Sequence, residues 1–275
     1  MTTTPPLAAS NARVKDARRL SRRSVRTERR LFLADGPKAV EGALGSPGTA
    51  VEVFATVAAT ETYAALAAAA DGAGVRWTLV EDKALASLSD SVTPAGVVAV
   101  CRHLDRPLAD LLASDRPRRL VAICADVRDP GNAGTVVRCA DAAGADLVVL
   151  AGSSVDAHNP KTVRASVGSV FHLPLAVEAD AASAVRAAQA AGLVVLAADG
   201  AGEVDLHAPE AEPLLARPTA WLFGNEAWGL PAELAELADH RVRIPIHGRA
   251  ESLNLSTAAA LCLYASARAQ RSPAG

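Results

Sequence analysis

The chain has 275 residues, 50% hydrophobic and 21% charged, which is enough to bury two modest cores and too apolar for wholesale disorder. Its formal charge of −2 conceals an asymmetry: residues 11–30 hold nine basic side chains against Asp16 and Glu28, so that segment carries +7 and the remainder −9. No apolar run of about 18 residues suggests a membrane span, no basic start with an apolar core marks a leader, and Cys101, Cys124, Cys139 and Cys262 lack the short paired spacings of metal sites or disulfide frameworks, so a cytoplasmic protein with no membrane partner and no metal is expected.

Residues 1–10, rich in Thr, Pro, Ala and Ser, show no apolar period and predict a flexible tail. From Asn11 the pattern turns helical, with Val14, Ala17 and Leu20 on one stripe and the arginines elsewhere. Clustered cations are what a polyanion rewards, because bound phosphates release their counterions. Arg13, Lys15, Arg18, Arg19, Arg22, Arg23 and Arg26 are therefore the candidate polyanion-binding residues. Short β-rich runs at 51–57, 75–80 and 97–102 then alternate with helical patterns at 37–44, 61–70 and 83–88, which predicts a small α/β domain over 11–105. Two Arg-Pro pairs, Arg106-Pro107 and Arg116-Pro117, bracket a short apolar helical stretch and place a linker at 106–118.

Over 119–271 the rhythm strengthens. Runs at 120–125, 147–151, 193–198, 220–223 and 242–246 are short and nearly continuously apolar, separated by helical patterns near 133–143, 181–191 and 255–269. Apolar strands alternating with helices predict a parallel sheet covered on both faces, whose ligands bind beyond the carboxyl ends of the strands. Three loops there are chemically loaded. The first runs from Asp126 through Pro130 and Gly131 to Arg138, with Asn132 expected to cap the following helix. An Arg near the start of such a helix suits a phosphate. Asn132 and Arg138 lie six residues apart, about 240° around a helix, so they meet only if Asn132 belongs to the loop. The second loop leaves an apolar strand at Phe223 and meets Gly224 at once, where a missing Cβ admits a ligand, with Glu226 in the turn; a helix-terminal charge is the plainer role for that carboxylate. The third crowds Glu251, Ser252, Asn254 and Ser256 at a helix start that needs one cap. Triphosphate, dinucleotide and nucleophile-elbow signatures are missing, and the six histidines show no zinc-ligand spacing.

Together the three loops resemble the three motifs of the SpoU (TrmH) family of ribose methyltransferases in the SPOUT superfamily: 132–138 and on to Gly144, then Phe223-Gly-Asn-Glu with Gly229-Leu230, then Ile244-Pro-Ile with Glu251-Ser-Leu-Asn-Leu-Ser256. Residues 11–44 likewise resemble the start of the ribosomal-protein-like substrate-binding domain often found in front of this catalytic domain. Ala227 stands where Gly is frequent, and Asp35 where Glu is usual. The resemblance implies an α/β protein: a C-terminal parallel-sheet SPOUT domain with a deep trefoil knot, preceded by a small α/β RNA-binding domain. It implies S-adenosylmethionine held through backbone groups of Phe223, Gly224, Ile244, Ile246 and Leu253, and a homodimer with the active site near the subunit interface. The implied reaction is methylation of a ribose 2′-hydroxyl in structured RNA, with ribosomal RNA preferred to transfer RNA. Arg138 takes the central role with Asn132 orienting it, and Glu226, Ser252 and Asn254 position the ribose. A non-catalytic RNA-binding protein that keeps the fold and a base methyltransferase are the competing readings.

Overall fold

The computed structural model describes residues 5–113 and 116–271, in two compact units: one holds the chain up to Leu104 together with His158–His172, the other the remainder. In the first unit Asn11 caps α1 (Ala12–Arg18) by accepting the Arg13 N–H at 2.9 Å, and a single 3-10 turn leads to α2 (Arg23–Arg29). Val14, Ala17 and Leu20 are buried, so the apolar stripe is the face that packs. Next come β1 (Leu31–Asp35), α3 (Pro37–Gly45), β2 (Ala50–Ala55), α4 (Val57–Thr62), α5 (Ala64–Gly72), β3 (Arg76–Leu79), α6 (Asp82–Ala86) and β4 (Val97–Arg102). The strands form one sheet in the order β1-β4-β2-β3, antiparallel except for the β2–β3 pair.

Several expectations need correcting here. Of the expected tail, residues 1–4 lie outside the described residues, but Leu7 is tied down: its N–H donates to Leu79 O at 2.8 Å and its carbonyl accepts from Glu81 N at 3.0 Å. The strand expected to reach residue 57 stops at Ala55, because Thr56 caps α4 through the Ala59 N–H at 3.1 Å. The helix expected over 61–70 is two helices, broken at Tyr63, whose backbone (φ −111°, ψ 42°) is not helical. β1 escaped the sequence reading because it begins directly after α2, with Arg30 in the left-handed conformation as the whole turn. Helix α9 (Pro160–Ala165) and the turn after it belong to this unit too: Phe171 stacks on Phe32 at 6.0 Å, and a Cβ on Gly42 of α3 would lie 2.8 Å from the Phe171 ring.

The second unit contains β5 (Asp105–Arg106), α7 (Leu108–Leu112), β6 (Leu120–Ala125), α8 (Pro130–Ala143), β7 (Leu147–Ala151), β8 (Leu175–Glu178), α10 (Ala181–Ala190), β9 (Val194–Ala198), β10 (Val204–Asp205), α11 (Glu212–Leu215), β11 (Thr219–Phe223), α12 (Ala232–Ala235), β12 (His240–Arg243) and α13 (Leu255–Arg271). Eight strands make one sheet in the order β10-β12-β9-β11-β6-β7-β8-β5, and every pairing is parallel. The stretch read as a linker contributes β5 and α7, and Leu108 and Leu111 are buried in this unit's core. β12 ends three residues before Ile246, since Pro245 has no N–H to continue the ladder. α13 packs on α8 and presents small residues to the sheet, where Ser266 is fully buried and accepts the Trp221 indole N–H at 2.9 Å. Three cysteines are core residues as expected, with Cys139 half-buried. Among the described residues no helix is long and apolar enough to cross a membrane.

This topology decides where a ligand goes. From β6 the chain adds β7 and β8 on one side, then crosses to build β9, β11 and β12 on the other. The reversal opens a crevice at the carboxyl ends of the central strands.

Candidate active site

The loops after β6, β9, β11 and β12 all emerge at that end of the sheet. A cavity of about 260 Å³ lies between the last three, and Phe223, Gly224, Ile244, Ile246 and Leu253, the five expected cofactor-binding residues, all line it. Glu226 and Ser252 line it as well. The lining pairs an apolar side, suited to a planar base, with acids and backbone groups, and so fits a nucleoside sulfonium. Gly224 is needed for a reason other than ligand approach: a Cβ there would lie 2.3 Å from the Gly229 carbonyl carbon. The loop folds back on itself, with Asn225 and Gly229 exchanging two backbone hydrogen bonds of 2.9 Å. Ala227 has no positive φ, so the position does not demand glycine.

Glu226 crosses from the β11 loop to the turn before α8. Its carboxylate accepts the backbone N–H groups of Arg128 (3.1 Å) and Asp129 (3.0 Å) and the Asn132 side-chain amide (3.3 Å). Burial pushes its carboxyl upward, but the Arg128, Asp129 and Asn132 bonds outweigh that and hold it below the ordinary value of 4.5. Glu226 is therefore an ionised acceptor and a poor proton store at neutral pH. The Asn132 carbonyl in turn accepts from the Asn254 amide at 3.0 Å. Asn254 stands just before α13 and its Oδ1 receives Ser256 N at 2.9 Å and Ser256 Oγ at 2.7 Å, which accounts for part of the polar crowding. Three distant stretches thus meet in one chain of bonds, Glu226–Asn132–Asn254.

Two expectations about the first loop are overturned. The cap of α8 is Asp129, which accepts the Asn132 N–H at 2.8 Å, and Asn132 is already helical. With both residues in one helix, Arg138 sits about 240° away on another flank, so Asn132 orients Glu226 and Asn254 rather than Arg138. Arg138 itself is exposed and lies outside the cavity lining, with no hydrogen bond or ion pair from its guanidinium to a described residue.

Among the RNA-binding candidates, Lys15, Arg18, Arg19, Arg22 and Arg23 are exposed. Arg26 is not: it is 2% exposed and donates to the carbonyls of Leu20 (2.9 Å) and Ser21 (2.8 Å), tying α2 to the 3-10 turn before it. Arg13 is engaged by Glu52 and by Thr78 Oγ1 at 2.8 Å. The periodicity could not separate these two from the exposed cations, because their partners come from carbonyls and distant strands.

Asn225 and Asp126, which lie within the loaded loops, and Asp199 have structural places that the sequence did not assign. Asn225 is buried, donates its amide to Asp126 O at 2.7 Å and accepts Ala227 N at 2.8 Å, fastening the second loop to the first. Asp126 holds a left-handed backbone (φ 55°), which Asp tolerates better than most residues. Its place directly after a strand was the available signal. Asp199, in the loop after β9, lines the cavity.

Residues 119–264 match the SpoU rRNA Methylase family, and residues 11–99 match the MRM3-like substrate binding domain. The chain belongs to the SpoU rRNA methylase family. It is 35% identical to the 23S rRNA (guanosine(2553)-2'-O)-methyltransferase RlmP of Bacillus subtilis (strain 168), over 94% of this chain and 96% of that protein. Among solved structures, this SpoU family member superposes on the AdoMet-bound rRNA methyltransferase of Sinorhizobium meliloti with a TM-score of 0.81 at 35% identity, covering 94% and 95% of the two chains. The SpoU methyltransferase AviRb of Streptomyces viridochromogenes, in complex with AdoMet, gives 0.78 at 29% identity, covering 94% and 98%.

Proposed function

We propose that this SpoU family member transfers a methyl group from S-adenosylmethionine to a ribose 2′-hydroxyl of 23S ribosomal RNA, in the cytoplasm and as a homodimer. The observation that carries the reading is the junction of loops: the Glu226–Asn132–Asn254 chain borders a nucleoside-sized cavity lined by Phe223, Gly224, Ile244, Ile246 and Leu253. The relatives named for ribose methylation of 23S rRNA and the solved structures with AdoMet bound support the substrate and the donor.

Bound S-adenosylmethionine supplies an electrophilic methyl group. The residues of the chain then have to place one hydroxyl oxygen behind that methyl and exclude others, while the hydroxyl proton passes to water as the methyl leaves the sulfur. Ser252, at the cavity wall, and Asn254, anchored through Asn132, position the ribose. Glu226 keeps the turn at 128–132 closed against the cavity loop. Arg138 grips the phosphate beside the target, a role that suits the fork of a guanidinium. In the dimer the exposed Leu261 and Tyr264, three residues apart on α13, form part of the apolar contact between copies, with the active site near the interface. The knot implied by the family resemblance belongs to the same reading.

Transfer of labelled methyl to 23S rRNA, followed by nuclease digestion and mass spectrometry, tests this. Wild-type protein is expected to yield a 2′-O-methylnucleoside. Arg138→Ala should abolish transfer while its melting temperature and its affinity for S-adenosylmethionine stay unchanged, because the side chain is exposed and outside the cavity. A methylated base as product contradicts the ribose assignment, and normal turnover by Arg138→Ala removes that residue from the mechanism.

A further inference from the structure

The cavity holds an acid that the reaction as described does not use. Asp199 follows β9, the strand between β11 and β12 at the floor of the crevice. Its backbone is spent: the N–H donates to Val242 O at 3.0 Å and the carbonyl accepts Gly202 N at 3.0 Å. Asp199 lines the cavity, and its side chain is 24% exposed. Oδ1 accepts the Ala201 N–H at 2.9 Å, and Oδ2 lies 3.9 Å from an Arg241 guanidinium nitrogen, so acceptor capacity remains on the carboxylate. Of the other two acids at the cavity, Glu226 is occupied by the α8 turn, and Glu251 stands exposed on the third loop.

A nucleoside sulfonium presents two kinds of donor to such an acid, the hydroxyls of its ribose and the ammonium of its amino-acid part. Arg241 is itself engaged by Glu203, so the choice rests on the diol: its two adjacent hydroxyls are neutral donors that match the acceptors of one carboxylate. An acid at the end of a central parallel strand is also the usual device by which nucleotide-binding sheets hold ribose hydroxyls.

We propose that the Asp199 carboxylate accepts hydrogen bonds from the ribose diol of the methyl donor and so selects a ribonucleoside in the cavity. The inference rests on the donor assignment made above and can fail without it. Calorimetry with S-adenosylhomocysteine, with methylthioadenosine, which keeps the diol and lacks the ammonium, and with 2′-deoxymethylthioadenosine separates the cases. Asp199→Asn keeps an acceptor for Ala201 N and should melt like the wild type. It is expected to weaken S-adenosylhomocysteine and methylthioadenosine by the same factor, roughly tenfold or more for a lost charge-assisted bond. The 2′-deoxy analogue should bind wild-type protein more weakly than methylthioadenosine by a similar factor, and the variant almost as well as methylthioadenosine. Loss of S-adenosylhomocysteine affinity alone would overturn the proposal in favour of ammonium recognition. Unchanged affinities, or an equal 2′-deoxy penalty in both proteins, would overturn it outright. If S-adenosylhomocysteine fails to bind the wild type, the donor assignment itself falls.

Discussion

Glu226 owes its place in the site to backbone groups rather than to a cation. Two N–H donors and one amide converge on it, which favours the charged form by more than burial opposes it. A carboxyl held below its unfolded value contributes stability that is present above that value and is lost as pH falls through the folded value. Glu226→Gln should therefore be less stable than the wild type at neutral pH, by about 0.5–1 kcal/mol because solvent screens the exposed carboxylate. The gap should close on acidification below the ordinary 4.5. Thermal melts of both proteins from pH 7 to pH 3 check this, and a gap independent of pH would mean that Glu226 is not the ionised anchor described. At this scale the site was partly legible. The family resemblance marked the five cavity residues, and the loaded loops marked Glu226 and Ser252; all of them line the cavity. The Asn132–Arg138 partnership was not legible, because it depended on a helix boundary: moving the start of α8 to Pro130 changes which face Asn132 occupies. Asp199 was passed over because a lone acid after a strand looks like any turn residue.

Elements are held to their places by a few polar ties inside an apolar frame. Trp221 on β11 is fully buried, and its indole N–H is satisfied by Ser266 on α13, which also lies within hydrogen-bond reach of Thr219 Oγ1 at 3.3 Å. Ser266→Ala strands that N–H in the core and should cost about 1–3 kcal/mol. Because α13 carries Asn254 at its head, the variant should also lose methyl transfer faster than the wild type on warming. Denaturant titration reads the first effect, and a loss well under 1 kcal/mol would mean that α13 is not fastened there. The strong apolar runs at 120–125 and 147–151 coincide with β6 and β7 because strands buried on both faces leave no polar interruption. β8 and β10 were missed because they are short and half-exposed at the margins of the sheet, where the apolar signal fades. β1 and the attachment of His158–His172 to the first unit depend on packing between residues far apart in sequence, which local periodicity does not carry.

For the molecule as a whole, charge is divided between a basic helical pair and an acidic remainder. Five cations of that pair, Lys15, Arg18, Arg19, Arg22 and Arg23, are exposed, while Arg26 works as an internal strut. Charge reversal at Arg18, Arg19, Arg22 and Arg23 should weaken RNA binding and flatten its salt dependence, by roughly 0.7–0.9 in the log–log slope for each phosphate that is no longer neutralised. Affinity for S-adenosylmethionine should not change. Arg26→Ala should instead lower stability, by about 2 kcal/mol for two charged bonds to buried carbonyls, and leave the salt slope as it was. Filter binding at graded salt separates the two effects, and an unchanged slope in the reversed variant would make the patch a solvated surface. Methyl transfer to a single ribose is the central step. Its most direct measurement is the map of 2′-O-methyl groups on 23S rRNA from cells with and without the gene, complemented by wild type or by Arg138→Ala. The prediction is one ribose mark that disappears with the gene, returns with the wild type and stays absent with the variant; identical maps in all four strains would contradict it.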